Sequence, residues 1–357
     1  MAEQELKNGA PQAGAAQKGT EAAGTAQQNA AVQQTAAASQ AGAAPQSADR
    51  DKILEIKNLS MEFPVSRHEK LKALNNISFD IYRGENFGLV GESGCGKTTL
   101  GRTIIRLYDP TAGEILFNGK RISGKLDKEA KSYIVNHLSM IFQDPISSLN
   151  PRMTVEEIIA EGLKTRGMKD KEERRRRVAE ILDKVGLLPE HATRYPHEFS
   201  GGQRQRIGIA RALVLKPEFI IADEPVSALD VSIQAQVINL LMDIKKEMNL
   251  TILFIAHDLA VVKYFSDRIG VMCFGNLVEL ADADELYAHP IHPYTKALLS
   301  AIPQPDPLAE KGKQRLYYDP SMNDYSKETP SFQEIRPGHF VYASESEMEK
   351  YRKELGL

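Results

Sequence analysis

The chain has 357 residues, 42% of them hydrophobic and 26% charged, and a formal net charge of −3 at pH 7. It is long enough to bury one large core or two smaller ones, and its charge balance gives no electrostatic case for nucleic acid as a partner. Two cysteines, Cys95 and Cys273, are too few for a disulfide framework and fit a reducing compartment. No apolar run reaches the roughly 20 residues of a membrane span, and the amino terminus has no signal-peptide core. These properties predict a cytoplasmic protein that can still sit against a membrane through a partner.

Residues 1–50 are largely Ala, Gln, Gly and Thr, with Leu6 and Val32 the only large aliphatics after Met1. Such a segment cannot offset the entropy of folding, so a disordered tail is expected. From Ile53 the pattern alternates, and Ile53–Leu59 and Ala73–Ile81 read as half-buried strands. Asn86–Val90 reads as a short buried strand. It leads into Gly91-Glu92-Ser93-Gly94-Cys95-Gly96-Lys97-Thr98, which matches the phosphate-cradling pattern G-x-x-x-x-G-K-[ST]. Helical spacing follows over Thr99–Leu107, with Leu100, Ile104 and Leu107 on one face. Glu114–Phe117 and the Asn118-Gly119 turn add a further strand, so a small antiparallel sheet brackets the loop.

Residues from about 150 to 215 read as mostly helical, including Val155–Gly162 and Lys171–Val185. The basic run Arg174–Arg177 there is read as a solvated face beside Glu172 and Glu173. Strands return at Phe219–Ala222, Thr251–Ala256 and Arg268–Met272, the first two separated by a helix over Ile233–Met248. Continuous apolar strands alternating with helices predict an α/β fold, a parallel sheet covered on both faces. Beyond Pro303-Gln304-Pro305-Asp306-Pro307 comes a polar extension with a strand at His339–Tyr342 and a helix from about Ser344. The expected organisation is a tail (1–50), a nucleotide-binding domain (51–305) with a helical subdomain (about 145–215), and an extension (306–357).

The chemistry follows from what a polyphosphate needs. Strand, Gly-rich turn and helix let backbone N–H groups and the positive helix end grip phosphate. The strand Phe219–Ala222 delivers Asp223 and Glu224 at its carboxyl end. Mg²⁺ takes one or two carboxylates plus phosphate oxygens, so Asp223 suits the metal shell and Thr98 a direct hydroxyl ligand. Glu224 suits a water in line with the terminal phosphate. Ser200-Gly201-Gly202-Gln203 reads either as an ordinary N-cap loop or as a second anion-binding helix start, which two chains could share. His257 follows a strand at the ligand side of the sheet and is open between structural and catalytic readings. Gln143 is open between a turn residue and an amide reaching Mg²⁺ or the attacking water. His191, His197, His289 and His292 are read as structural, Cys95 as space-filling despite its helix start, and Cys273 as core.

The order of Gly91–Thr98, Gln143, Ser200–Gln203, Phe219–Glu224, Ser227-Ala228-Leu229-Asp230 and His257 resembles the ABC transporter ATPase family over about residues 53–303. The resemblance implies a P-loop NTPase fold of ABC type, with a parallel-sheet core, an antiparallel β subdomain and a helical subdomain, and ATP and Mg²⁺ as ligands. Phe63 matches the aromatic that stacks on adenine. Gly91, Glu92, Ser93, Gly94, Cys95, Gly96, Lys97, Thr98 and Thr99 match the Walker A loop, with Lys97 on the β- and γ-phosphates and Thr98 on Mg²⁺. Gln143 matches the Q-loop glutamine at the metal and γ-phosphate. Ser200, Gly201, Gly202 and Gln203 match the signature loop, with Phe199 where Leu is commoner. Asp223 and Glu224 match Walker B and the catalytic base, Asp230 the D-loop, and His257 the switch histidine.

Gln143–Arg152, Phe199–Leu213 and His292–Leu299 are similar to the oligopeptide/dipeptide importer branch, and the signature region to its F-type subunit. That implies an ATP-hydrolysing subunit peripheral on the cytoplasmic face of the cell membrane. Its partners would be a second ATPase subunit of the D-type, two integral membrane permease subunits and, indirectly, an extracytoplasmic solute-binding protein. Relatives often hold an iron–sulfur centre on cysteines in the extension. This chain has no cysteine after Cys273, so its extension is expected to be held by packing alone. The same role for a nickel chelate, an opine or a glutathione-like solute is the alternative, and a soluble ABC ATPase is a further one. The latter would carry a long coiled-coil insertion or two cassettes, and neither is in the sequence. A nonhydrolytic regulator is disfavoured by Glu224 and His257.

Overall fold

The computed structural model describes residues 50–302, 315–323 and 325–357. Apart from Arg50, the expected tail lies outside these residues, as does the proline-rich stretch 303–307. Two sheets organise the rest. Strands β1 (Lys52–Pro64) and β2 (Lys70–Tyr82) pair antiparallel. β3 (Asn86–Val90) leads through the Gly-rich turn into α1 (Lys97–Ile104). β4 (Ala112–Phe117) and β5 (Lys120–Arg121) then complete a four-stranded sheet in the order β2-β1-β4-β5. Asn118 and Gly119 join β4 to β5 with positive φ of 49° and 70°, as a two-residue hairpin turn of matching twist requires.

α2 (Lys128–His137) delivers β6 (Leu138–Ile141), and α3 (Pro145–Ser148), α4 (Val155–Thr165), α5 (Lys171–Lys184) and α6 (Gly201–Leu213) follow. Thr154 and Glu157 close a capping box on α4, and Asp170 caps α5. Arg175 and Arg176 pair with Glu156, Glu173 and Glu180 on the exposed surface, the solvated face expected of the run. Arg177 instead meets Glu173 half-buried, and Arg174 departs from the expectation by donating to the Met168 carbonyl. β7 (Phe219–Asp223), α7 (Val231–Met248), β8 (Thr251–Ile255), α8 (Leu259–Phe265) and β9 (Arg268–Cys273) complete the parallel unit.

In the second sheet β9-β3-β8-β7-β6 run parallel, and β3, β7, β8 and β9 are buried at every residue. Their side chains alternate between two cores. Ile220 and Phe254 join the layer with Ile158, Leu163 and Leu213, while Ile221, Leu253 and Ile255 join Ile56, Phe79 and Leu100. The register aligns Leu89 with Ile255, Ile255 with Asp223, and Ala222 with Ile141. The loops leaving β3, β6, β7 and β8 therefore open on one edge, the ligand side of such a sheet.

Two expectations change. Leu107 does not share the buried face of Leu100 and Ile104 but is 56% exposed, because Arg106 adopts a left-handed φ of 66° and ends α1 at Ile104. The extension is not held by packing alone. After β10 (Asn276–Asp282), α9 (Ala283–Ala288) and α10 (Pro293–Ser300), it contributes β11 (Ser331–Arg336), β12 (His339–Ala343) and α11 (Glu345–Leu355). β12 pairs with β10, so the extension adds backbone hydrogen bonds and lengthens the core sheet to eight strands. His339 Nε2 lies 2.8 Å from Glu279 Oε1, both side chains fully buried.

Candidate nucleotide-binding site

The Gly91–Thr98 loop is shaped by close approach. Gly91 and Gly96 have φ of 152° and 108°, and an added Cβ would lie 2.2 Å from the Met272 carbonyl oxygen and 2.5 Å from that of Ala73. Gly94, at φ 81°, has open space where a Cβ would stand. Gly96 is the N-cap of α1 and offers no side-chain acceptor, so the first-turn N–H groups remain free for an anion. Lys97, 3% exposed, turns its Nζ onto the carbonyl oxygens of Gly91 (2.7 Å) and Glu92 (2.9 Å). Cys95 is buried, and burial raises its thiol above the ordinary value against the opposing pull of Lys97. Cys273 is pushed up to about 12 by burial. Protonated, buried thiols fit the packing roles read for both.

Thr98 Oγ1 donates to Asp223 Oδ1 at 2.9 Å. Asp223 Oδ2 is buried with no partner, and burial raises this carboxyl above its usual range. An orphaned acceptor beside a threonine hydroxyl is a donor set that suits a hard cation. Among the described residues there is no cluster of three or more His, Cys, Asp or Glu for a dedicated metal cage. A cation here must complete its shell with water or phosphate, as Mg²⁺ does.

One residue on, Glu224 stands at a left-handed φ of 44°, its N–H held by the Ile255 carbonyl at 2.9 Å. Such strain is maintained where the surroundings over-determine it, and it points to function. Gln143 Nε2 donates to Glu224 Oε2 at 2.7 Å, and His257 Nδ1 lies 3.6 Å from the same oxygen. The Glu224 side chain is 14% exposed and that of His257 58%. The structure thus brings together Lys97 with its loop, Thr98 with Asp223, and Gln143 with Glu224 and His257.

It does not bring in the others. Ser200 caps α6 in a capping box with Gln203, and neither hydrogen-bonds to Gly91–Thr99, Asp223, Glu224 or His257. Gly202 has no room for a side chain, since a Cβ would meet Ile233 Cγ2 at 2.6 Å. Asp230 is the N-cap of α7, yet its side chain makes no cap hydrogen bond. Phe63 stands edge-on to Tyr108 at 5.3 Å. One contact was not foreseen: the Glu92 N–H donates to Tyr294 Oη at 2.9 Å. The run His292-Pro293-Tyr294 was the available signal, but nothing in spacing connects position 92 to position 294.

A family model described as ABC transporter matches residues 74–227, and one described as oligopeptide/dipeptide transporter, C-terminal region, matches residues 278–327. The oligopeptide transport ATP-binding protein OppF of Bacillus subtilis (strain 168) is 61% identical over 303 residues, covering 84% of this chain and 99% of that one. The dipeptide transport ATP-binding protein DppF of Lactococcus lactis subsp. cremoris (strain MG1363) is 57% identical over 309 residues, covering 86% and 98%. Among solved structures, an ATP-binding cassette in a dimeric post-hydrolysis state bound to ADP and Pi aligns with a TM-score of 0.59 at 31% identity. That alignment covers 64% of this chain and 98% of that one. The chain belongs to the ABC transporter family and, within it, to the oligopeptide and dipeptide transport ATP-binding proteins.

Proposed function

We propose that the chain is the ATP-hydrolysing subunit that energises an ABC importer of oligopeptides or dipeptides, peripheral on the cytoplasmic face of the cell membrane. The observation that carries the chemistry is the convergence of Gln143, Glu224 and His257 on one sheet edge beside Thr98 and Asp223. In this reading Phe63 stacks on adenine and Gly91–Thr99 cradle the phosphates through backbone N–H groups. Lys97 leaves its two carbonyl partners for the β- and γ-phosphates. Thr98, Asp223 and Gln143 would hold Mg²⁺, which when bound neutralises charge on the phosphate oxygens. Glu224 accepts the proton of the attacking water, with its carboxylate oriented by the Gln143 amide. His257 donates to the developing charge on the terminal phosphate.

Ser200–Gln203 and Asp230 are assigned to a second nucleotide, held by the P-loop of a partner ATPase of the D-type in a head-to-tail pair. ATP then favours closure because it contacts both chains only in the closed state. The Gln143–Arg152 segment is assigned to contact with two membrane permease subunits, and the solute-binding protein acts through them. Among the described residues no helix is long and apolar enough to cross a membrane, which suits a subunit that works on a membrane through partners. The test is peptide uptake by cells lacking this chain: loss of uptake with rescue by the wild type is expected, and unimpaired uptake would reject the transport assignment.

A further inference from the structure

We propose that the Tyr294 hydroxyl positions the phosphate loop, making a side chain of the C-terminal region part of the ATP-binding machinery. The inference rests on the reading of Gly91–Thr99 as the ATP cradle. Tyr294 is the second residue of α10, lies within the matched C-terminal region 278–327 and is 3% exposed. Its Oη accepts the Glu92 N–H at 2.9 Å. The Glu92 carbonyl on the other side accepts from Lys97 Nζ at 2.9 Å and, more loosely, from the Cys95 N–H at 3.3 Å. The first turn of the loop is therefore clamped from two directions, and one clamp is the residue that must leave for the phosphates. Once Lys97 turns to ATP, Tyr294 is the side chain that still fixes the Glu92 peptide.

The ring is itself held firmly. His292 Nδ1 accepts the Tyr294 N–H at 3.1 Å, and the Tyr318 ring stands edge-on at 5.3 Å. The His292 N–H in turn donates to Glu279 Oε2 at 2.9 Å. Removing only the hydroxyl would keep this packing but leave the Glu92 N–H without its acceptor, an arrangement that disfavours the loop shape requiring it. A loop that spends less time in its binding-competent shape binds more weakly in proportion.

The experiment measures ATP binding with Mg²⁺ by the full chain and its melting temperature without nucleotide. Tyr294→Phe is expected to raise the Kd about tenfold, equivalent to about 1.4 kcal/mol, with the nucleotide-free melting temperature within about 3 °C of wild type. Glu92→Pro removes the donor itself, so adding Tyr294→Phe to it should change the Kd no further. An unchanged Kd in Tyr294→Phe would overturn the inference, as would an effect of the same size in the Glu92→Pro background. Lys97→Ala separates the two readings. If it abolishes ATP binding while Tyr294→Phe does nothing, the cradle stands and the positioning role falls. If it leaves binding intact, the cradle reading falls first.

Discussion

The carboxyl edge of the central sheet and the start of α6 carry the two halves of the proposed site, and they are built in opposite ways. At the sheet edge, side chains from four loops meet: Thr98 bonds Asp223, and Gln143 and His257 face Glu224. At α6, Ser200 and Gln203 satisfy only each other, and Gly202 rests on Ile233 of α7. The first half makes chemical sense within one chain. The second is a helix terminus whose Ser200 and Gln203 meet no other site residue among the described residues, which suits the proposed completion of the site by a second ATPase.

Substitutions should separate the halves. The largest effect is expected at the sheet edge: Glu224→Gln in the assembled ATPase pair should lower turnover by about 10²–10⁴-fold while ATP still binds. Unchanged turnover would remove Glu224 from the role of base. Asp223→Asn should abolish Mg²⁺-dependent ATP binding, yet raise nucleotide-free stability at pH 7. The sign follows from the carboxyl's pKa, raised mainly by burial: the folded chain disfavours its charged form, and this cost is present above the unfolded value. Calorimetry of the nucleotide-free variant checks it, and a lower melting temperature would contradict it.

Next in size is an acid effect behind the sheet edge. Burial lowers His292 to about 4 from an ordinary 6.5, and its Nδ1 is an acceptor for the Tyr294 N–H, which requires the neutral ring. The unfolded chain therefore binds the extra proton first as pH falls. Stability should decline between pH 6.5 and 4 by up to about 3 kcal/mol, a slope that His292→Asn should flatten in denaturant titrations. At α6 the effects are smaller and conditional. Gly202→Val should reduce turnover of the pair by roughly tenfold or more, since its side chain collides with Ile233. ATP binding by the isolated chain should be untouched, and equal damage in both assays would erase the distinction between the halves.

The same contrast explains what could be read beforehand. The parallel strands β3, β7, β8 and β9 were legible because burial on both faces leaves continuous apolar runs such as Phe219–Ala222 and Thr251–Ala256. β6, with only four residues and Ser139 among them, was not. The register brings Gln143, Asp223, Glu224 and His257 to one edge. β10 and β11 were not legible. They join an antiparallel extension whose buried positions include Glu279, and its partner His339 looks equally like a surface residue until the two are paired. α2 escaped because Ile134 is its only buried residue, too little to leave a periodic signal. Tyr294 escaped because its contact with Glu92 spans 202 positions.

The central claim is that this chain holds half of a shared hydrolytic site. Its most direct test is ATP turnover by the isolated full-length chain, confirmed monomeric, compared with the same chain mixed with its partner ATPase. The expected result is ATP binding with little hydrolysis alone and restored turnover in the mixture, lost again when Glu224→Gln is used. Full turnover from the confirmed monomer would contradict it.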